Sequence, residues 1–151
     1  MNQLFQYCKF VLFALLFCLF LIASACEKAP VKPVEITTND ICFYCKSPIA
    51  EKDMASAVEF ITKSGFVRKF DDIACLISDA QKVGKKNIEA FYVKDIVSQK
   101  WLPADQLQYV RSDKIKTPRN GGIIAFQDAA RAQQVATRYQ AELVKFGDLV
   151  K

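Results

Sequence analysis

A chain of 151 residues with a formal charge of +5 has room for one domain or two very small ones. It contains no histidine, which removes the commonest acid–base group and the commonest metal ligand, and with them most hydrolase and zinc-enzyme mechanisms. Six cysteines make sulfur the chemistry to follow.

Phe10 to Ala25 is an almost unbroken apolar run, preceded by Lys9 and closed by Ala23-Ser24-Ala25-Cys26. A charged start, an apolar stretch and small exit residues make a secretory signal peptide. The run falls short of the roughly 20 apolar residues of a comfortable membrane span. The small residues directly before Cys26 resemble a bacterial lipoprotein signal, with Ala23 where that pattern usually has leucine. In such signals, cleavage leaves cysteine as the first residue, acylated on sulfur and nitrogen. Residues 1–25 are therefore read as signal peptide and Cys26 as the lipidation site. The expected location is the cell envelope, with the protein lipid-anchored and facing the extracytoplasmic side. Cleavage there removes Cys8, Cys18 and Lys9, leaving 126 residues, a charge of +4, and Cys42, Cys45 and Cys75 as free thiols. An odd number of thiols outside the cytoplasm argues against a pure disulfide framework. The basic patches 82–86 and 111–119 read as solvated faces suited to anionic lipid. Export argues against a nucleic acid partner.

Residues 26–39, with Pro30 and Pro33, read as the lipidated start and a polar, extended tether. After the Cys42-Phe43-Tyr44-Cys45 motif, Met54 to Thr62 has strand composition, Lys63-Ser64-Gly65 turns the chain, and Phe66 to Phe70 returns. Asp71 or Asp72 then caps a helix to about Val83, with Ile73, Leu76, Ile77, Ala80 and Val83 on one face and Gly84 as its stop. Ile88 to Val93 closes a strand–strand–helix–strand order. The order recurs in strand material from Trp101 to Val110 interrupted by Pro103, a polar loop from Arg111 to Asn120, and a strand from Gly122 to Phe126. Asp128 then caps a helix with Ala132, Val135, Ala136, Tyr139 and Leu143 on one face, and a last short strand is expected over Phe146 to Val150. Gly65 to Asp72 and Gly121 to Asp128 share glycine, strand, phenylalanine and acidic cap at an offset of 56 residues. The expected fold class is α+β, with two similar ββαβ units over 40–94 and 95–151.

The Cys-x-x-Cys motif suits a metal site, a redox pair or a short structural disulfide. Pro48 lacks a backbone N–H and disfavours a helix there, so the motif reads as an exposed turn, with Phe43 and Tyr44 covering the sulfurs on one side. At about 100° per residue, Cys75 points away from the apolar face of its helix. It lies in the first turn, where the positive helix end stabilises a thiolate, and either faces the Cys42/Cys45 turn or is a neutral thiol at a packing edge.

The ordered set of motifs resembles the NosL family, lipoprotein accessory proteins for nitrous oxide reductase. The set comprises Cys26 after the signal, Asp40-Ile-Cys-Phe-Tyr-Cys45, Phe70-Asp-Asp-Ile-Ala-Cys75, Phe91-Tyr-Val-Lys-Asp95 with Trp101 following, and Thr117-Pro118 leading to Gly122-Ile-Ile-Ala-Phe126. The resemblance implies two ββαβ units, Cu(I) binding, and transfer of copper for assembly of the reductase's centres. The partners it implies are a copper transporter, the nitrous oxide reductase apo-protein and, through acylated Cys26, membrane lipid. The chain departs from the family pattern where methionine usually stands two places after the second cysteine, here Ser47. It departs again at the third residue of a Thr-Pro-Met turn, here Arg119.

Cu(I) is soft and is satisfied by two or three sulfur ligands. Cys42 and Cys45 are the expected principal ligands, with Cys75 or Met54, the one methionine left after export, completing a trigonal site. Zn²⁺ normally takes four ligands, which three thiols reach only if a carboxylate such as Asp40 joins. Thiol–disulfide exchange by Cys42 and Cys45 is the rival reading. A carrier, not an enzyme, is the expectation.

Overall fold

The computed structural model describes residues 31–151. The apolar run and Cys26 therefore lie outside the described residues. Strands β1 (Val58–Thr62) and β2 (Val67–Phe70) form a hairpin, followed by helix α1 (Ile73–Val83) and strand β3 (Ile88–Lys94). A short strand β4 (Trp101–Pro103) pairs with β3, giving an antiparallel sheet in the order β2-β1-β3-β4. Strands β5 (Gln108–Arg111), β6 (Ile123–Phe126) and β7 (Glu142–Val144) make a second antiparallel sheet, ordered β6-β5-β7. Helix α2 (Ala129–Tyr139) connects β6 to β7, and a helical turn α3 (Phe146–Leu149) follows β7. The fold is α+β: each sheet contains a ββαβ order, and β4, from the stretch expected to open the second unit, is added to the edge of the first sheet.

Local chemistry accounts for most of these elements. Asp72 caps α1 by accepting the Ala74 N–H at 2.8 Å, and Asp128 caps α2 by accepting those of Ala130 and Arg131 at 2.8 and 3.2 Å. Gly84 ends α1 with a φ of 82°, the left-handed region that glycine enters without steric cost.

Besides the placement of β4, the structure differs from the expected elements at three places. Residues Glu51–Ser56, including Met54, form a 3₁₀ helix instead of leading into β1; Glu, Lys, Asp and Ala are poor strand formers, and Val58 is where β-branched and aromatic content begins. Leu143 belongs to β7 and is 41% exposed, so the apolar face of α2 ends at the helix terminus. Residues 146–149 are helical, not a strand. The turn drops Phe146 and Leu149 into the core, whereas a strand would have spent alternate side chains on solvent.

One core joins the two ββαβ units. Phe60 contacts both Phe70 and Phe91, with ring centroids 5.3 and 5.8 Å apart, and Phe91 meets Phe146 at 4.9 Å. Phe146 in turn packs on Tyr109 of β5 at 5.6 Å. Such aromatic pairs add about 0.5–1.5 kcal/mol each beyond the area they bury. A smaller cluster of Val110, Ile115, Phe126, Ala132 and Ala136 lies under α2. Strand β1 is buried along its whole length. The face that carries Glu59 is met by the stretch read as tether, where the Val34 N–H donates to Glu59 Oε1 at 2.8 Å and Ile36 enters the core.

Candidate metal centre

The Cys-x-x-Cys motif sits in a tight loop clamped at its base. Ile41 bridges to Pro48 across the loop, the Ile49 N–H donates to the Asp40 carbonyl at 3.0 Å, and the Cys42 N–H donates to the Ser47 carbonyl at 2.9 Å. The Lys46 N–H returns to the Cys42 carbonyl at 2.9 Å, with Lys46 in the left-handed region at a φ of 63°. Strand β2 holds the loop from beneath. The Lys69 carbonyl accepts the Phe43 N–H at 2.8 Å, and the Lys69 ammonium reaches both oxygens of Asp40 at 3.0 Å. Phe43 is fixed by Arg68 and Lys46, each 4.2 Å from its ring centroid, and by an edge contact with Phe66. Tyr44 stays 37% exposed beneath Lys82.

This loop brings its two sulfurs against the start of α1. The ligand atoms of Cys42, Cys45, Cys75 and Asp71 all lie within 4.8 Å of one another. Cys42 is fully buried and Cys75 nearly so, while Cys45 is half-buried. The expected exposed turn is thus a turn with one sulfur on the surface side and one inside the core. The loop folds back on β2 through the Phe43 N–H, which donates to the Lys69 carbonyl. Cys75 is no packing-edge thiol, because the first turn of α1 faces the loop.

Electrostatics inside the cluster are those of a shared proton. A hydrogen bond from the Cys75 thiol is the main cause that brings Cys42 down to about 6, helped by the backbone N–H groups of Cys45 and Asp71 and opposed by burial. The same bond, burial and the negative groups around it push Cys75 up. All three sulfurs are free thiols.

Asp71 is the functional group that sequence reasoning passed over. It was weighed only as a cap, a role that Asp72 fills. The Asp71 side chain has no solvent exposure, and both its oxygens stand 3.8 Å from the Cys45 sulfur. The available signal was two consecutive acids where one cap suffices. Asp40, the carboxylate considered first, is engaged elsewhere. Burial opposes it, but the Thr37 N–H and the Lys69 ammonium hold its carboxyl below the usual range. Arg119 also has a place here. Its Nε and Nη2 donate to Asp71 Oδ2 at 2.7 and 2.6 Å, and its own N–H donates to Asp72 Oδ2 at 2.8 Å. Met54 lies on the 3₁₀ helix, half-buried against the same core cluster that contains Cys42 and Cys75.

Three sulfurs around one ion, each about 2.3 Å from it, stand about 4 Å apart in a trigonal plane. The cluster has the spacing to hold one soft ion with little rearrangement.

Comparison with known proteins agrees with this architecture. A search of curated proteins gave no match. Among solved structures, the crystal structure of the copper chaperone NosL from Shewanella denitrificans superposes with a TM-score of 0.69. That match covers 79% of this chain and 96% of the other, at 17% sequence identity, and so bears on the fold. The family model for NosL matches residues 33–151, which takes in both ββαβ units and every group of the cluster. The chain belongs to the NosL family.

Proposed function

We propose that this protein is a Cu(I) carrier of the cell envelope, lipid-anchored through Cys26. It takes the ion from a copper transporter and passes it on for assembly of the metal centres of nitrous oxide reductase. The observation that carries the reading is the convergence of Cys42, Cys45, Cys75 and Asp71 within 4.8 Å. Cys42 and Cys45 are the principal ligands, Cys75 the third, and Met54 the alternative third ligand. Thiolate sulfur suits a soft monovalent ion. A carrier must also release its cargo. Cys45, half-buried at the rim, gives an acceptor thiol or thioether a side from which to exchange ligands. That transfer exchanges one sulfur donor for another, and copper stays Cu(I) throughout.

A thiol–disulfide role for Cys42 and Cys45 is the second reading, favoured by the lowered pKa of Cys42. Against it, Cys42 is fully buried, so the thiolate is not the sulfur that an incoming disulfide would meet first.

The test is an anaerobic Cu(I) titration of the full chain in mild detergent against a competing chelator, with an insulin-reduction assay in parallel. One Cu(I) per chain is expected. Cys42→Ser or Cys45→Ser should cost more affinity than Cys75→Ser or Met54→Ala. Unchanged affinity in the Cys42/Cys45 double variant would refute the assignment, and turnover of insulin without copper binding would favour the redox role.

A further inference from the structure

We propose that Arg119 sets the metal preference of the thiol cluster by keeping Asp71 out of the ligand set. The proposal rests on the Cu(I)-carrier reading and adds to it the residue that disfavours a competing divalent ion.

The cluster as folded is one carboxylate away from a divalent-metal site. Zn²⁺ takes four ligands and accepts thiolates together with an aspartate oxygen. Three thiols with a buried aspartate facing them would supply that set. Cu(I) has no need of the carboxylate, since two or three sulfurs complete it. What Asp71 does therefore separates the two ions.

Arg119 occupies Asp71. Two N–H groups of the guanidinium converge on Oδ2 at 2.6 and 2.7 Å. Charge-assisted bonds of this kind are short and strong. They take up Oδ2, while both oxygens face the Cys45 sulfur at an equal 3.8 Å. An oxygen already bonded to two guanidinium N–H groups has little lone-pair density left for an ion. The guanidinium charge also offsets that of the carboxylate, which makes it a poorer donor to a cation.

The pin is itself fixed in place. Thr117 donates its hydroxyl to Asp72 Oδ2 at 2.7 Å, and the Arg119 N–H joins the same oxygen. Gly121 lies so close to the start of α1 that a Cβ there would come within 2.6 Å of Asp72 Oδ1. The loop that carries Arg119 is thus latched to the helix start that carries Asp71 and Cys75. The Arg119 side chain is 35% exposed and lines a polar hollow of about 600 Å³ with Ser47 and Pro48.

The test compares Zn(II) and Cu(I) affinities of the full chain in mild detergent, measured anaerobically by competition with a chromophoric chelator for each ion. Arg119→Gln frees Asp71 and should raise Zn(II) affinity relative to Cu(I) by about tenfold or more, the scale on which groups behind a ligand act. Asp71→Asn alone should leave Zn(II) affinity within about threefold of wild type, because the carboxylate is already withheld. The double variant has the wild-type net charge and no buried unpaired carboxylate, and should restore the wild-type preference. It also keeps the test open should Arg119→Gln fail to fold.

A fall in Zn(II) affinity in Arg119→Gln would mean that Arg119 orients Asp71 as a ligand, and would overturn the proposal. So would a tenfold loss in Asp71→Asn, or a gain that persists in the double variant. Cu(I) binding by wild type with an unchanged preference in Arg119→Gln overturns this proposal alone. Absence of Cu(I) binding by wild type overturns the carrier reading with it.

Discussion

Glu59 accepts the Val34 N–H through Oε1 at 2.8 Å, while its Oε2 is buried without a hydrogen-bond partner. The residue is the second of β1 and has no solvent exposure, and burial pushes its carboxyl up to about 7. The Val34 bond and Lys69 pull it down, and Glu35 and Asp40 push it up. The folded state therefore binds a proton that the unfolded chain releases from about 4.5 upward. Stability should fall as pH rises from about 4.5 to about 7 and stay lowered above that. The span corresponds to an upper limit on the order of 3 kcal/mol. Glu59→Gln keeps the bond from Val34 and should flatten this slope in urea denaturation across pH 5 to 8. An unchanged slope would place the titrating group elsewhere.

Asp72 holds three donors: the Ala74 N–H on one oxygen, and the Thr117 hydroxyl and Arg119 N–H on the other. Asp72→Ala removes a helix cap, worth about 1 kcal/mol, and strands two donors at roughly 1–3 kcal/mol each. A loss of about 3 kcal/mol or more is expected. Thr117→Val should cost about half as much, because it leaves the cap and the Arg119 bond in place. Chemical denaturation of both variants checks the ranking.

Phe146 joins the rings of Phe91 in the first unit and Tyr109 in the second. Phe146→Ala should cost about 3–5 kcal/mol. Leu143→Ala, at an exposed strand position, should stay within about 0.5 kcal/mol of wild type. Similar losses at both sites would mean that the C-terminal segment packs as a strand.

Cys45 is the half-buried sulfur and Cys42 the one with thiolate character. Access should win over ionisation, since a fully buried thiolate meets no reagent. Brief iodoacetamide treatment followed by peptide mass spectrometry should find Cys45 modified first. Cys42 labelled ahead of it would indicate that the loop opens readily, and would strengthen the redox reading.

Cys26→Ser should leave an unprocessed precursor that takes up no radiolabelled fatty acid. Normal cleavage of that variant to a smaller form without lipid would show an ordinary signal peptide. Among the described residues no helix is long and apolar enough to cross a membrane.

The sequence by itself determined what depends on neighbours along the chain. Both long helices begin at an aspartate and carry an apolar stripe, and the two glycine–strand–phenylalanine–acid junctions announce the duplicated order, because capping and periodicity act within one turn or one pleat. The paired thiols were legible for the same reason: their spacing is local. Tertiary structure decided the rest. Nothing within a few residues of Phe146 states that two rings, 55 and 37 positions earlier in the chain, will receive it, so the segment reads as a strand and not as the helical turn it forms. Cys75 became a partner of Cys42 only when the loop folded onto α1. Asp71 and Arg119 stand 48 residues apart, and each alone reads as a cap or a solvated charge. Burial without solvent makes the carboxylate demand a cation, and the latch on Asp72 decides which cation arrives.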